Sequence, residues 1–198
     1  MLRVGITGGI GSGKTTVCEI FNHLGIPIFY ADHQAKKLYS DNSELKDQLI
    51  HYFGDETYIS STEINIAFFK TLLASPEKRE QLNAIVHPFV FKQFDDWVSQ
   101  QNSPYVIKEA AILFESGANK TVHKSIAVIA PEEVRIERVK QRDPHRNIEE
   151  IQRIMQSQLS NDELQKRANY TLFNDGSQSL IEQVRKLHQI LLNESRHF

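Results

Sequence analysis

Gly8-Gly9-Ile10-Gly11-Ser12-Gly13-Lys14-Thr15 is the stretch that decides the fold. It follows Leu2-Arg3-Val4-Gly5-Ile6-Thr7, a short apolar run rich in β-formers. It precedes Thr15 to Leu24, where Val17, Ile20, Phe21 and Leu24 recur at helical spacing. A strand, a glycine-rich turn closed by lysine and threonine, and a helix match the phosphate-loop pattern at every fixed position. Glycines let backbone N–H groups turn inward around phosphate oxygens. The helix N-terminus favours anions. Lys14 can reach the β- and γ-phosphates of a nucleotide, and the Thr15 hydroxyl can ligate Mg2+. The predicted ATP site therefore contains Gly9, Gly11, Ser12, Gly13, Lys14, Thr15 and Thr16.

Working outward, Gly25 ends the first helix and Ile26-Pro27-Ile28-Phe29-Tyr30 reads as a second strand. Tyr105-Val106-Ile107, Ser125-Ile126-Ala127-Val128-Ile129 and Tyr170-Thr171-Leu172-Phe173 read as three more. These runs lack clean alternation, which suits a parallel sheet covered on both faces. Helices separate them, so the expected class is α/β, a doubly wound sheet of about five strands.

From Ala31 to Ser103 no strand is expected, and the segment reads as helices. Leu45, Leu49, Ile50 and Phe53 share a face, as do Phe69, Leu72 and Leu73. Ser75-Pro76 is a cap followed by a first-turn proline, ahead of Leu82, Ile85 and Val86. Pro88 is expected to start another helix, with Phe91, Phe94, Trp97 and Val98. The expected organisation is a nucleotide-binding core of residues 1–30 and 104–198 with an inserted helical, acceptor-binding lobe of residues 31–103. Pro131 to Leu159 reads as helix, turn and helix, broken at Asp143-Pro144, with a short lid at about 138–160. Arg135, Arg138, Arg142, Arg146 and Arg153 lie along it and would ordinarily form a solvated face. Asn174-Asp175-Gly176-Ser177 is a loop, and Leu180 to Leu192 a closing helix.

Composition narrows the classes. The net charge of −2 gives no basic excess for a nucleic-acid partner. The single cysteine, Cys18, permits no internal disulfide and reads as a buried thiol in a cytoplasmic protein. No apolar run approaches the ~20 residues of a membrane span, so no membrane is expected. Met1 to Ile10 is apolar, but Lys14 follows and no cleavage site does, so it does not read as a signal peptide. No obligate protein partner is inferred. A GTP-dependent switch would carry Asn-Lys-x-Asp, whereas Asn119-Lys120-Thr121-Val122 ends in valine. A small chain with a lobe and a lid suits a small-molecule kinase, because closure excludes the water that would hydrolyse ATP.

These residues resemble the dephospho-CoA kinase family. The phosphate loop runs from Thr7 to Thr16 in wording close to that family's, and Leu24-Gly25-Ile26-Pro27 leads into Ala31-Asp32, similar to its Asp-Ala-Asp segment. His87-Pro88 resembles its His-Pro step, and Ile112-Leu113-Phe114-Glu115 its Pro-Leu-Leu-Phe-Glu segment. Arg138, Arg142-Asp143 and Gln158 fall at the spacing of its lid, and Asn174 with Gly176 resembles its loop beside the adenine. The sequence departs from the pattern at Tyr30, Ala111, Glu109 and Asn169, where aspartate, proline, aspartate and aspartate are usual.

The resemblance implies transfer of the γ-phosphate of ATP to the ribose 3′-hydroxyl of dephospho-CoA, giving CoA and ADP. It implies Mg2+ as cofactor, with ATP and dephospho-CoA as partners. Asp32, Lys14 and Arg142 would be catalytic, and Arg142 and Asn174 would join the ATP site. Asp32, His87 and Glu115 would meet the acceptor. Thr15 would ligate the metal, with Glu109 acting through a water. Other readings stand beside these. Asp32 can cap a helix starting near His33. His87 can be a packed structural histidine, and Glu109 an ordinary strand-end acid. The rival functions are another P-loop small-molecule kinase, such as a nucleoside monophosphate kinase, and a nucleotide-binding regulator without an acceptor.

Overall fold

The computed structural model describes the whole chain, residues 1–198. Strand β1 (Leu2–Thr7) leads through the glycine loop into helix α1 (Lys14–His23), and β2 (Ile28–Tyr30) follows. Four helices come next: α2 (Ala31–Asp41), α3 (Ser43–Phe53), α4 (Ile66–Ala74) and α5 (Pro76–Ser99). Then come β3 (Tyr105–Glu109), β4 (Lys124–Ile129), α6 (Glu132–Arg142), α7 (Ile148–Gln156), α8 (Asn161–Arg167), β5 (Tyr170–Phe173) and α9 (Leu180–Ser195). No helix is long and apolar enough to cross a membrane.

The five strands form one sheet in the order β2-β3-β1-β4-β5. β1 pairs in parallel with β3 on one side (Val4 opposite Ile107) and with β4 on the other (Ile6 opposite Ile126). β4 pairs in parallel with β5, Val128 opposite Leu172. The chain reverses its direction across the sheet at β1, so the crevice beyond the carboxyl end of β1 is the switch point where such sheets bind ligands. On one face Phe21 of α1 meets Tyr105 edge-on at 6.4 Å, and the Tyr105 hydroxyl is 2.7 Å from Nδ1 of His188 in α9. On the other face Leu164 of α8 packs with Ala127 and Ile129, joined by Phe114 and Leu159. Both faces are covered, which explains strands that read as continuous apolar runs.

The chain divides into two compact units, Tyr30–Gln100 and Met1–Phe29 with Gln101–Phe198. The Tyr30–Gln100 unit holds α2 to α5, with Leu38, Leu45, Leu49, Phe69, Leu72 and Leu82 buried. Tyr39 and Phe69 meet edge-on at 5.0 Å within it.

The structure corrects the expected break at Pro88. α5 runs unbroken for 24 residues with Pro88 inside it. An interior proline removes a helical hydrogen bond and crowds the preceding turn. Here Leu82, Val86, Val90, Phe94 and Val98 are all buried. They lie four apart on both sides of the proline, so a break would destroy a single apolar stripe whose burial outweighs the local cost. Two strand limits also move. β2 begins at Ile28, because Pro27 has no N–H for a ladder, although its carbonyl accepts from the Ile107 N–H at 3.0 Å. β3 continues to Glu109, which makes that acid the last residue of the strand.

Candidate active site

The site starts from a helix end left open. Gly13 is the N-cap of α1 in the left-handed region, φ 95°, and no side chain caps the helix. A glycine there leaves the first N–H groups of α1 without a side-chain acceptor, the arrangement that binds anions. A Cβ at Gly13 would fall on Nδ2 of Asn174. The Ser12 N–H closes the loop onto the Gly9 carbonyl at 3.1 Å. Lys14 Nζ donates to the carbonyls of Gly8 at 2.7 Å and Gly9 at 3.3 Å, which keeps the ammonium on the loop. Thr15 and Thr16 are exposed in the first turn of α1.

Asn174, just past β5, ties three elements together. Its backbone N–H donates to the Ile129 carbonyl at 2.8 Å and its Nδ2 to the Ser12 carbonyl at 2.9 Å, while its Oδ1 accepts from Nη2 of Arg138 at 3.4 Å. Nη1 of Arg138 and the hydroxyl of Ser12 are buried with no protein partner. Buried donors left unsatisfied are costly, and two of them beside an open helix end suit phosphate oxygens.

The arginines do not behave as one solvated face. Arg135 is 6% exposed and donates from Nε to the Ile10 carbonyl at 2.9 Å. It shares the buried side of α6 with Val139, four residues on, and that spacing is the signal by which it could have been found in the sequence. Arg142 ends α6, and its side chain is 61% exposed. It pairs with Asp143, Nη2 to Oδ2 at 2.9 Å and Nε to Oδ1 at 3.3 Å, and this hydrogen-bonded pairing holds the Asp143 carboxyl below its usual range. Two anchors fix the far end of the lid segment. Oε1 of Gln158 accepts from the Ile10 N–H at 2.8 Å, and Oε1 of Glu115 accepts from the Leu159 N–H at 3.0 Å. Glu115, expected at the acceptor, is thus engaged with the lid backbone.

Glu109 ends β3, opposite Ile6 near the carboxyl end of β1. Burial pushes the Cys18 thiol well up, and the Glu109 carboxylate adds to this while Lys14 opposes it. Glu109 and Lys14 therefore both act on the second turn of α1. Cys18 itself is fully buried and unreactive, as the sequence suggests. No three His, Cys, Asp or Glu side chains gather as a metal cage. The hydroxyl of Thr15 and the carboxylate of Glu109 are hard oxygen donors of the kind Mg2+ takes when it arrives with nucleotide phosphates.

In the Tyr30–Gln100 unit, Asp32 is the second residue of α2 and exposed. The helix starts at Ala31, with Tyr30 as its N-cap and no side-chain cap, so the alternative reading of Asp32 as a helix cap gives way to that of a first-turn acid. Burial pushes the Tyr39 hydroxyl up to about 12, helped by Tyr58 and then by the charge of Asp32. His87 stacks on Phe91 at 5.8 Å along α5. This unit also contains a cavity of about 1060 Å³ lined by Leu38, Gln48, Tyr52, Pro88, Phe89 and Gln93 among others.

Comparison with known proteins points one way. The family model described as dephospho-CoA kinase matches residues 2–179. The chain is 38% identical to the dephospho-CoA kinase of Salinibacter ruber, over 89% of this chain and 90% of that one. It is 36% identical to that of Bacteroides fragilis, over 94% and 91%. A crystal structure from Thermus thermophilus superposes with a TM-score of 0.82 at 29% identity, covering 96% of each chain. The dephospho-CoA kinase of Campylobacter jejuni (TM-score 0.67, 24% identity, 97% and 98% covered) and a shikimate kinase of Acinetobacter baumannii (0.55, 15%, 98% and 94%) share the fold.

Proposed function

The chain belongs to the dephospho-CoA kinase family, and we propose that the groups around the N-terminus of α1 serve ATP in that family's reaction and that Asp32 of α2 serves the acceptor. It is an ATP-dependent phosphotransferase that converts dephospho-CoA and ATP to CoA and ADP. The observation that carries the assignment of roles is the uncapped N-terminus of α1 behind Lys14, with unpartnered buried donors on Ser12 and Arg138 beside it.

In this reading the loop N–H groups and Lys14 hold the β- and γ-phosphates. The Arg138 guanidinium binds phosphate from the lid side while Asn174 keeps it and the Ser12 carbonyl in place. Arg142, at the tip of α6, meets the charge that spreads over the transferring group. Its bond to Asp143 gives way when the stronger anion arrives. Thr15, with Glu109 acting through a water, would hold Mg2+, which would supply charge neutralisation to the nucleotide phosphates. Asp32 orients the ribose 3′-hydroxyl and accepts its proton as the phosphoryl group leaves ATP. Tyr30 stands where the family usually carries a second acid, so Asp32 has no carboxylate to replace it. His87 and the residues of the 31–103 lobe receive the rest of the acceptor. The lone buried thiol fits a reducing cytoplasm.

Coupled ADP release tests the reading. Stimulation by dephospho-CoA is expected. Stimulation by AMP or CMP instead, or by no acceptor at all, would overturn it in favour of a nucleotide kinase or of a regulator.

A further inference from the structure

Both backbone groups of Ile10, near the middle of the phosphate loop, are held by side chains from the two ends of one segment. Arg135 Nε donates to its carbonyl at 2.9 Å, and Gln158 Oε1 accepts from its N–H at 2.8 Å. Arg135 closes the first turn of α6, and Gln158 follows the end of α7, so the two come from near the start and the end of the α6–α7 segment. We propose that Arg135 is a positioning residue for ATP: with Gln158 it clamps Ile10 and holds the phosphate loop in the shape that turns its N–H groups inward. The proposal rests on the reading of this loop as the ATP site.

The packing is close enough to dictate loop sequence. A Cβ added at Gly9 would fall inside the Arg135 guanidinium, and one at Gly11 would meet the Arg135 backbone. Gly9 is not among the glycines with positive φ, so its backbone conformation does not call for glycine. What excludes a side chain at Gly9 is Arg135. The phosphate loop and α6 therefore form one fitted pair.

Electrostatics favours the same role. Burial is the leading influence on Arg135 and works against its charge, while Glu132 partly offsets it. A guanidinium stays protonated through such a shift. A cation so placed against Gly9 and Ile10 of the phosphate loop strengthens the pull on a polyanionic ligand, because charges are screened less where water is excluded. The clamp also gives the lid a mechanical link to the loop: α6 cannot tilt without drawing on Ile10.

The test uses the full chain, four single variants and one double variant. Arg135→Ala is expected to raise the KM and the Kd for ATP by roughly tenfold or more, the usual cost of losing a charge-assisted hydrogen bond. The KM for dephospho-CoA should stay within about twofold, since the residues proposed to meet the acceptor, Asp32 and His87, are outside the clamp. Arg135→Lys keeps a cation but not the flat fork and should recover only part of the loss. Gly9→Ala should weaken ATP binding in the wild-type background and cost much less in the Arg135→Ala background, a non-additive cycle. Gln158→Ala removes only the second half of the clamp and should show the same selective rise for ATP, which keeps the proposal open to test if Arg135→Ala does not fold. Unchanged ATP affinity in Gln158→Ala, or additive costs for Gly9→Ala and Arg135→Ala, would overturn the clamp. A wild-type protein that binds no ATP would instead overturn the reading of the loop.

Discussion

The side-chain amide of Asn174 donates to the carbonyl of Ser12 at 2.9 Å, which binds the loop after β5 to the turn that begins α1. The same side chain accepts from Arg138, so one residue sets the shape of the phosphate loop and the aim of a lid arginine. Asn174→Ala should raise the KM for ATP roughly tenfold by freeing both. Asn174→Asp should be worse, because it replaces the donor with a carboxylate beside an anion site. Equal ATP kinetics for Asp, Ala and wild type would separate Asn174 from nucleotide binding.

Lys14→Ala is expected to abolish transfer and leave the melting temperature nearly unchanged, since the ammonium serves the phosphates rather than the core. Normal kcat/KM would count against the phosphate loop as the catalytic centre. Thr15→Ser should be mild because the hydroxyl survives, whereas Thr15→Val should lose Mg2+-dependent activity. A Mg2+ titration in which Val and Ser variants behave alike would show that Thr15 is no metal ligand.

The two lid arginines should fail differently. Arg142 is exposed and paired only with its neighbour, so Arg142→Ala should lower kcat more than it weakens ATP binding. Arg142→Lys should rescue it in part, because a point charge cannot replace the fork. Arg138 is partly buried against Asn174, and Arg138→Ala should raise the KM for ATP as well. A raised ATP KM as the sole defect of Arg142→Ala would reduce it to a nucleotide contact.

Stability should depend on pH through two histidines. Burial lowers both His123 and His188 from the ordinary value near 6.5, and in His123 the charges of Arg3 and the N-terminus add to it. Nδ1 of His123 accepts the Arg3 N–H at 2.9 Å, and Nδ1 of His188 lies 2.7 Å from the Tyr105 hydroxyl. A histidine whose folded value is depressed contributes stability that is complete above its unfolded pKa and is lost as pH falls through the folded one. The melting temperature should therefore fall as pH drops below about 6.5. His188→Leu should flatten that fall, and an unchanged slope would remove His188 from the effect.

Much of this was legible because each element carries a local signal. The phosphate loop declares itself by glycines, lysine and threonine at fixed spacing, and the buried strands by short apolar runs between turns. Pro88 misled because a proline is a strong local signal, while the stripe from Leu82 to Val98 that overrules it is spread over α5. Arg135 was hidden for a related reason. An arginine on a charged helix is usually solvated, and its contact with Ile10 joins residues 125 apart in the chain. The bond from Leu159 to Glu115 spans 44 residues and leaves no trace in spacing. Asp32 was placed correctly just after the second strand, but its position inside the first turn of α2 depends on where the helix begins, which sequence fixes poorly.

Asp32 is the residue on which the proposed chemistry turns. A ribose hydroxyl is a weak nucleophile until a neighbouring group orients it and takes its proton. Asp32→Asn keeps the size and much of the hydrogen bonding of the side chain but cannot accept that proton. Its kcat should fall by roughly 10²–10⁴-fold, the usual worth of a general base, with ATP affinity almost unchanged. A first-turn acid that merely complements the helix dipole would act differently: removing its charge would cost about 0.3–1 kcal/mol of stability and leave turnover alone. Measuring kcat and melting temperature on the same Asp32→Asn preparation separates the two. The account predicts collapsed turnover in a protein that melts normally, and near-normal turnover would contradict it and move the search for the base to Glu109.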